Sequence, residues 1–241
     1  MTPLYDRIGV GYARKRQPDP RIAPLIGAAL GDAQTIVNVG AGAGSYEPAG
    51  RVVTAVEPSA EMIRQRTLPA ARIVQAGAEA LPFADGAFDA AMAVLTVHHW
   101  GDQRAGLAEM RRVATGPVVI LTFDPAFRDF WLLDYFPALA ALDDRIMPPL
   151  SLYGEVLGPV EITPVPIPED CTDGFMAANW KYPEAYLDPE VRAAISSFHR
   201  IGDLSDGLAR LKADLDSGAW AARYGDASTA RDCGYRLVVT R

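Results

Sequence analysis

The chain has 241 residues, 49% hydrophobic and 22% charged, with a formal net charge of −7 and an isoelectric point near 5.0. A chain of this size buries about 70–75% of its unfolded surface, enough for one large domain. The acidic balance argues against a nucleic-acid partner, whose binding depends on phosphate neutralisation. It also lacks any apolar run near the ~18 residues of a membrane span.

Residues 4–16 read as a helical lead, and 20–31 as a first helix closed by Gly31. Strand-like runs follow at 35–40, 52–57, 71–76, 88–95 and 117–123, with helical stretches between them. That alternation predicts a doubly wound α/β fold, a mostly parallel sheet with helices on both faces. An apolar, aromatic helix is expected over 130–142. The Pro-interrupted run 160–168 is demoted to a sheet edge. Two helices are expected over 183–198 and 204–220, and a closing strand over 234–240. The organisation expected is one domain over 1–241. Its core is 20–168 and 231–241, its lead 1–19, and a helical lid over 170–226 precedes the last strand. Cys171 and Cys233 with no export segment ahead of them predict a reduced, cytoplasmic protein.

The segment Ile36-Val-Asn-Val-Gly40-Ala-Gly42-Ala-Gly44 carries the most chemistry. An apolar run ends in glycines on alternate positions, which permit a tight turn and close approach of backbone to a ligand. The next strand stops at Glu57, a carboxylate able to accept two hydrogen bonds from a ribose diol. Together they point to an adenosine-containing ligand. A dinucleotide fingerprint wants a third glycine where Ser45 stands, and a helix behind it to cradle pyrophosphate. Residues 45–50 contain Pro48 and leave room only for a stub of helix. The macrodipole of a stub is weak, so a ligand without phosphates is favoured.

Four blocks in order resemble the class I S-adenosylmethionine-dependent methyltransferases, in the small-molecule branch. They are residues 36–46; Val56-Glu57-Pro58-Ser59 with Met62; Ala78-Glu79-Ala80-Leu81-Pro82-Phe83 with Phe88-Asp89; and Val97-His98-His99-Trp100-Gly101-Asp102 with Glu109-Met110-Arg111-Arg112-Val113. The resemblance implies a Rossmann-like, seven-stranded fold, S-adenosyl-L-methionine as cofactor, and methyl transfer to a small-molecule or short-peptide acceptor. It also implies cofactor contacts from Gly40, Ala41, Gly42, Gly44, Glu57, Pro58, Met62, Ala78, Glu79 and Leu95. From the N-terminal lead it adds Tyr12 over the methionine moiety; nearby Arg16, a guanidinium that matches a carboxylate, is a candidate for the cofactor carboxylate. Two departures stand out. Asn38 replaces the Asp common in the family. Gly77 replaces an acid, so the adenine amino group must be met by backbone near Ala78 or by Glu79.

His99 and His98 follow the fourth strand, where α/β sheets place ligands, and either can serve as a base or shape the loop through backbone contacts. Aromatic residues Tyr5, Trp100, Trp131, Trp180 and Tyr186 are candidates to grip the acceptor, with core packing as their other reading. Asp124 is either an active-site carboxylate or a cap before Pro125. His199 reads as a surface or packing residue. No C-x-x-C or H-x-x-x-H spacing supports a metal, and no Gly-Lys-Ser/Thr loop or G-x-S-x-G elbow supports phosphoryl transfer or a serine hydrolase. A nicotinamide-dependent oxidoreductase and a non-catalytic S-adenosylmethionine-binding protein remain as alternatives.

Overall fold

The computed structural model describes residue 6, residues 15–66 and residues 72–240. The main sheet has seven strands: β1 Thr35–Val39, β2 Val52–Val56, β3 Arg72–Val74, β4 Ala90–Val94, β5 Val118–Phe123, β6 Val160–Pro164 and β9 Tyr235–Thr240. Their spatial order is β3-β2-β1-β4-β5-β9-β6. Only β9 runs against its neighbours, pairing antiparallel with both β5 and β6. The remaining two strands, β7 Ile167–Pro168 and β8 Ala230–Arg231, form a separate antiparallel pair.

The strands are apolar on both faces because both faces are covered, as parallel sheets require. In β1, Ile36 enters one core cluster and Val37 and Val39 the other. Helix α1 (Ala23–Ala29) contributes Ile26 to the first cluster. The second takes Leu107, Met110 and Val113 from the helix α3 (Gln103–Val113); α2 is Ala60–Arg64. Chain order reverses between β1 and β4, so a crevice opens beyond their C-terminal ends, where open α/β sheets bind ligands.

Several expected elements differ. The helix expected over 130–142 is two, α4 Leu132–Tyr135 and α5 Ala138–Ile146, divided at Pro137. The run 160–168 divides into β6 and β7. Helix α6 (Leu150–Leu157) packs beside α3 and was not anticipated. The stretch 183–198 is the 3₁₀ turn Pro183–Leu187, the short helix α7 (Pro189–Ala193) and the 3₁₀ turn Ser196–His199. The last helical stretch is α8 (Ser205–Ser217) and α9 (Ala219–Tyr224), separated by Gly218 at φ 78°. No helix among the described residues is long and apolar enough to cross a membrane. Most of the expected 4–16 lead lies outside the described residues.

Candidate active site

The crevice holds a cleft of about 450 Å³. Its floor is the turn after β1. The Gly40 and Ala41 amides both donate to the Val56 carbonyl, at 2.8 and 3.0 Å, which folds the turn over the end of β2. Gly40 has φ 69°, and a Cβ there would collide with the Thr96 side chain. Gly42 has φ 53°, with only the flexible Met62 Cε near a hypothetical Cβ, at 3.3 Å. No helix follows the loop between residues 40 and 50, so even the expected stub is absent.

Glu57 lies buried at the end of β2. Its Oε2 accepts from the Gly42 amide and its Oε1 from the Ser59 amide, both at 2.8 Å. Burial raises its pKa, and those two amides oppose the rise. Ser59 also caps α2, its Oγ accepting from the Met62 amide at 3.2 Å, which brings Met62 to the cleft.

Beneath the loop is an ion pair that sequence reasoning missed. Arg66 donates to both Glu47 oxygens, at 2.7 and 2.6 Å, and to the Gly42 carbonyl at 3.2 Å. Glu47 Oε1 in turn accepts from Asn38 Nδ2 at 3.1 Å. That bond fixes the amide's orientation and leaves Asn38 Oδ1 buried with no partner among the described residues. Asn38 lines the cleft, so the orphaned oxygen is an acceptor awaiting a donor such as an ammonium.

At the other end, Glu79 Oε1 accepts from the Gly101 amide at 2.7 Å and the Asp102 amide at 3.3 Å. Its Oε2 lies against Gly77, in the space an acidic side chain would need there. Glu109 ties the third block to α3: it accepts from the Leu81 amide at 2.7 Å and pairs with Arg112, which lowers its pKa.

Leu95 follows β4 at φ 51°, and Tyr46 sits at φ 63°. Such conformations cost on the order of 1–3 kcal/mol each and cluster at functional sites; both residues line the cleft. The 3₁₀ turn Val97–His99 comes next. The His98 and His99 rings lie 3.9 Å apart between centroids. Burial, with Arg200 and Arg16 nearby, depresses His99 to about 3, and burial depresses His98 well below the usual range. Both imidazoles are neutral at ordinary pH.

The cleft brings together most of the residues picked from sequence: Gly40, Ala41, Gly42, Glu57, Pro58 and Met62 on the loop side, and Ala78, Glu79, Leu95, His99 and Trp100 opposite, with Arg16 at its edge. Arg16 is already engaged by buried Asp173. Gly44 departs from expectation, since it faces the Arg66 guanidinium rather than the cleft. His98 lines a small adjoining pocket with Leu95 and Arg16.

The acceptor candidates from the C-terminal half are corrected. Trp131, Trp180 and Tyr186 do not line the cleft; they are core, and their polar atoms are spent on backbone. Trp131 Nε1 donates to the Trp180 carbonyl at 2.7 Å, Trp180 Nε1 to the Ile167 carbonyl at 2.9 Å, and Tyr186 to the Met176 carbonyl. Asp124 is a turn cap, its Oδ1 accepting from the Ala126 amide at 2.9 Å. His199 is exposed, its Nε2 2.9 Å from the Ala193 carbonyl. Tyr5 and Tyr12 lie outside the described residues. Ser45 and Tyr46, in the first block read from the sequence, also line the cleft, as does Thr96, which was not anticipated.

A glycine turn, a fixed carboxylate and no phosphate cradle define a nucleoside-binding α/β protein. Residues 37–117 match the family model described as a methyltransferase domain. A crystal structure described as a methyltransferase from an antibiotic biosynthesis pathway of Anabaena variabilis is 36% identical, with a TM-score of 0.86 over 94% of this chain and 99% of that one. The demethylmenaquinone methyltransferase of Renibacterium salmoninarum is 32% identical over 157 residues, 58% of this chain and 65% of that protein. This chain therefore spans just under two-thirds of that relative's length. The [4+2]-cyclase SpnF, 16% identical with a TM-score of 0.58, shares the fold. The chain belongs to the class I S-adenosylmethionine-dependent methyltransferases, and S-adenosylmethionine is its cofactor.

Proposed function

We propose that this protein transfers the methyl group of S-adenosylmethionine to a small-molecule acceptor by in-line displacement. The observation that carries the reading is Glu57. It is buried at the cleft and fixed by two backbone amides, and each of its oxygens keeps a lone pair for a ribose hydroxyl. Asn38 Oδ1 is suited to the cofactor ammonium, and Glu79 Oε2 to the adenine amino group. The loop amides, Met62 and Leu95 shape the rest of the cradle.

The cofactor supplies an already activated methyl on a sulfonium. What remains for the chain is to align the acceptor and exclude water. Proximity and orientation are worth about 7–11 kcal/mol, whereas a general base adds about 10²–10⁴-fold. His99, neutral at the cleft wall, accepts a hydrogen bond from the acceptor and orients it. A base so weak removes a proton only as the bond to carbon forms. Segments of 170–226 reach the neighbouring pockets through Met176, Ile195 and Arg200, which supports a covering role for that region. Cys171 and Cys233 are both unpaired, which supports a reducing cytoplasmic setting.

Calorimetry with S-adenosylhomocysteine and, separately, NADH tests the reading, followed by a methyl-transfer screen. We expect S-adenosylhomocysteine alone to bind and at least one acceptor to turn over. Binding of NADH alone would favour an oxidoreductase. Tight S-adenosylhomocysteine binding without turnover of any acceptor would favour a non-catalytic protein.

A further inference from the structure

Beside the cofactor cleft lies a wider groove of about 790 Å³. His99, Trp100 and Gly101 wall both cavities, so a molecule in the groove lies next to the cofactor cleft at His99. His98 lines the groove as well, and Ile146 and Leu152 give it an apolar side.

The groove is cationic. Arg104, Arg145 and Arg200 line it, against a single acidic residue, Asp102. One Asp102 oxygen caps α3, accepting from the Ala105 amide at 2.9 Å. Arg104 is neutralised by Glu155 at 2.6 Å. Among the described residues, the Arg145 and Arg200 side chains have neither an ion pair nor a hydrogen bond. Of the acids beside Arg145 in sequence, Asp144 pairs with Arg128 at 2.6 Å, and buried Asp143 is pushed up to about 7 by desolvation. The Arg200 charge reaches both histidines, where it helps hold the imidazoles neutral. Two guanidiniums without ion pairs lining one groove are unexpected in a chain of net charge −7. The planar guanidinium fork matches carboxylate and phosphate bidentately.

We propose that this groove binds the methyl acceptor, and that the acceptor carries an oxyanion, a carboxylate or a phosphate, gripped by Arg145 and Arg200 while its reacting atom lies against His99. The inference rests on the methyl-transfer reading above. It makes the two arginines specificity residues, drawn from the end of α5 and from the turn after Ser196–His199.

Protein saturated with S-adenosylhomocysteine is titrated calorimetrically at low salt with citrate and, separately, with pyrophosphate. The wild type is expected to bind at least one of them. The double variant Arg145→Gln/Arg200→Gln should weaken that binding by at least about tenfold with S-adenosylhomocysteine affinity unchanged. Arg223→Gln, which breaks an exposed pair with Asp134 away from the groove, should leave both affinities within about twofold. Citrate binding alone assigns a carboxylate and pyrophosphate alone a phosphate; binding of both supports the oxyanion class. No saturable binding of either probe, or equal binding to the double variant, overturns the groove assignment and leaves the methyl-transfer reading standing. Loss of S-adenosylhomocysteine binding in the wild type would instead overturn that reading, and this inference with it.

Discussion

The two ends of the site are made from different materials. The nucleoside end is mostly backbone: the turn after β1 and the amides that fix Glu57, all within residues 38–66. The proposed acceptor end is side chains gathered from distant segments, His99 after β4, Arg145 at the end of α5 and Arg200 near the C-terminal helices. A backbone site tolerates few substitutions, because its geometry is the fold's geometry. A side-chain site can be altered residue by residue while the cofactor still binds.

The largest effect that sharpens this contrast belongs to Gly40→Ala. The variant must carry a left-handed φ of 69° and a Cβ driven into Thr96. A loss of about 3 kcal/mol or more is expected, read as a lower Tm and loss of S-adenosylhomocysteine binding. Gly42→Ala has the flexible Met62 as its neighbour and should lose less. Equal losses from the two would break the account of the turn.

Glu57→Gln is next. The amide must present its NH₂ to the Gly42 or Ser59 amide, placing donor against donor. S-adenosylhomocysteine affinity should fall by about 10–100-fold, or roughly 1.4–2.8 kcal/mol, and KM for the acceptor should not change.

His99→Ala lies on the other side of the comparison. We expect kcat to fall by about 10–100-fold with cofactor affinity retained. If the variant loses the cofactor instead, His99 belongs to the nucleoside end. The pH dependence carries a sign. His99 has a folded pKa of about 3 against an ordinary 6.5, so between these values the unfolded chain holds a proton that the folded protein does not. Stability is therefore full above 6.5 and declines as pH falls toward 3. His99→Ala should flatten that decline in denaturant titrations from pH 7 to 4.

Much of the cleft lining on the loop side was legible because it is local. Alternate glycines after an apolar run and Glu57 at the end of the next strand lie within one strand–turn–strand. The parallel sheet followed from strand and helix alternation. The Arg66–Glu47–Asn38 network was not legible, since the 19 residues separating its ion pair are bridged only by the folded turn. The two readings of the aromatic candidates stayed open in the sequence for a related reason. Trp131, Trp180 and Tyr186 look alike whether they line a pocket or fill a core, and only the backbone partners of their polar atoms decide between the two. The break at Pro137 was visible in the sequence, but the apolar pattern ran on across it.

The smallest predicted effect lies away from both ends. Buried Asp143 has a folded pKa of about 7 against 3.8, and its Oδ1 lacks a partner among the described residues. The folded protein therefore holds the proton between these values, and stability declines as pH rises from 3.8 through about 7. Asp143→Asn should raise Tm by a few degrees, about 2–4 °C, at pH 8 and leave it nearly unchanged at pH 4.

The most direct measurement is a cycle of two ligands on two proteins: S-adenosylhomocysteine and its 2′-deoxy analogue, each titrated into wild type and Glu57→Gln. The account predicts that removing the hydroxyl weakens binding to the wild type by at least about tenfold and to Glu57→Gln much less, a coupling of about 1 kcal/mol or more. Equal affinity of the wild type for the two ligands would contradict the placement of the ribose on Glu57.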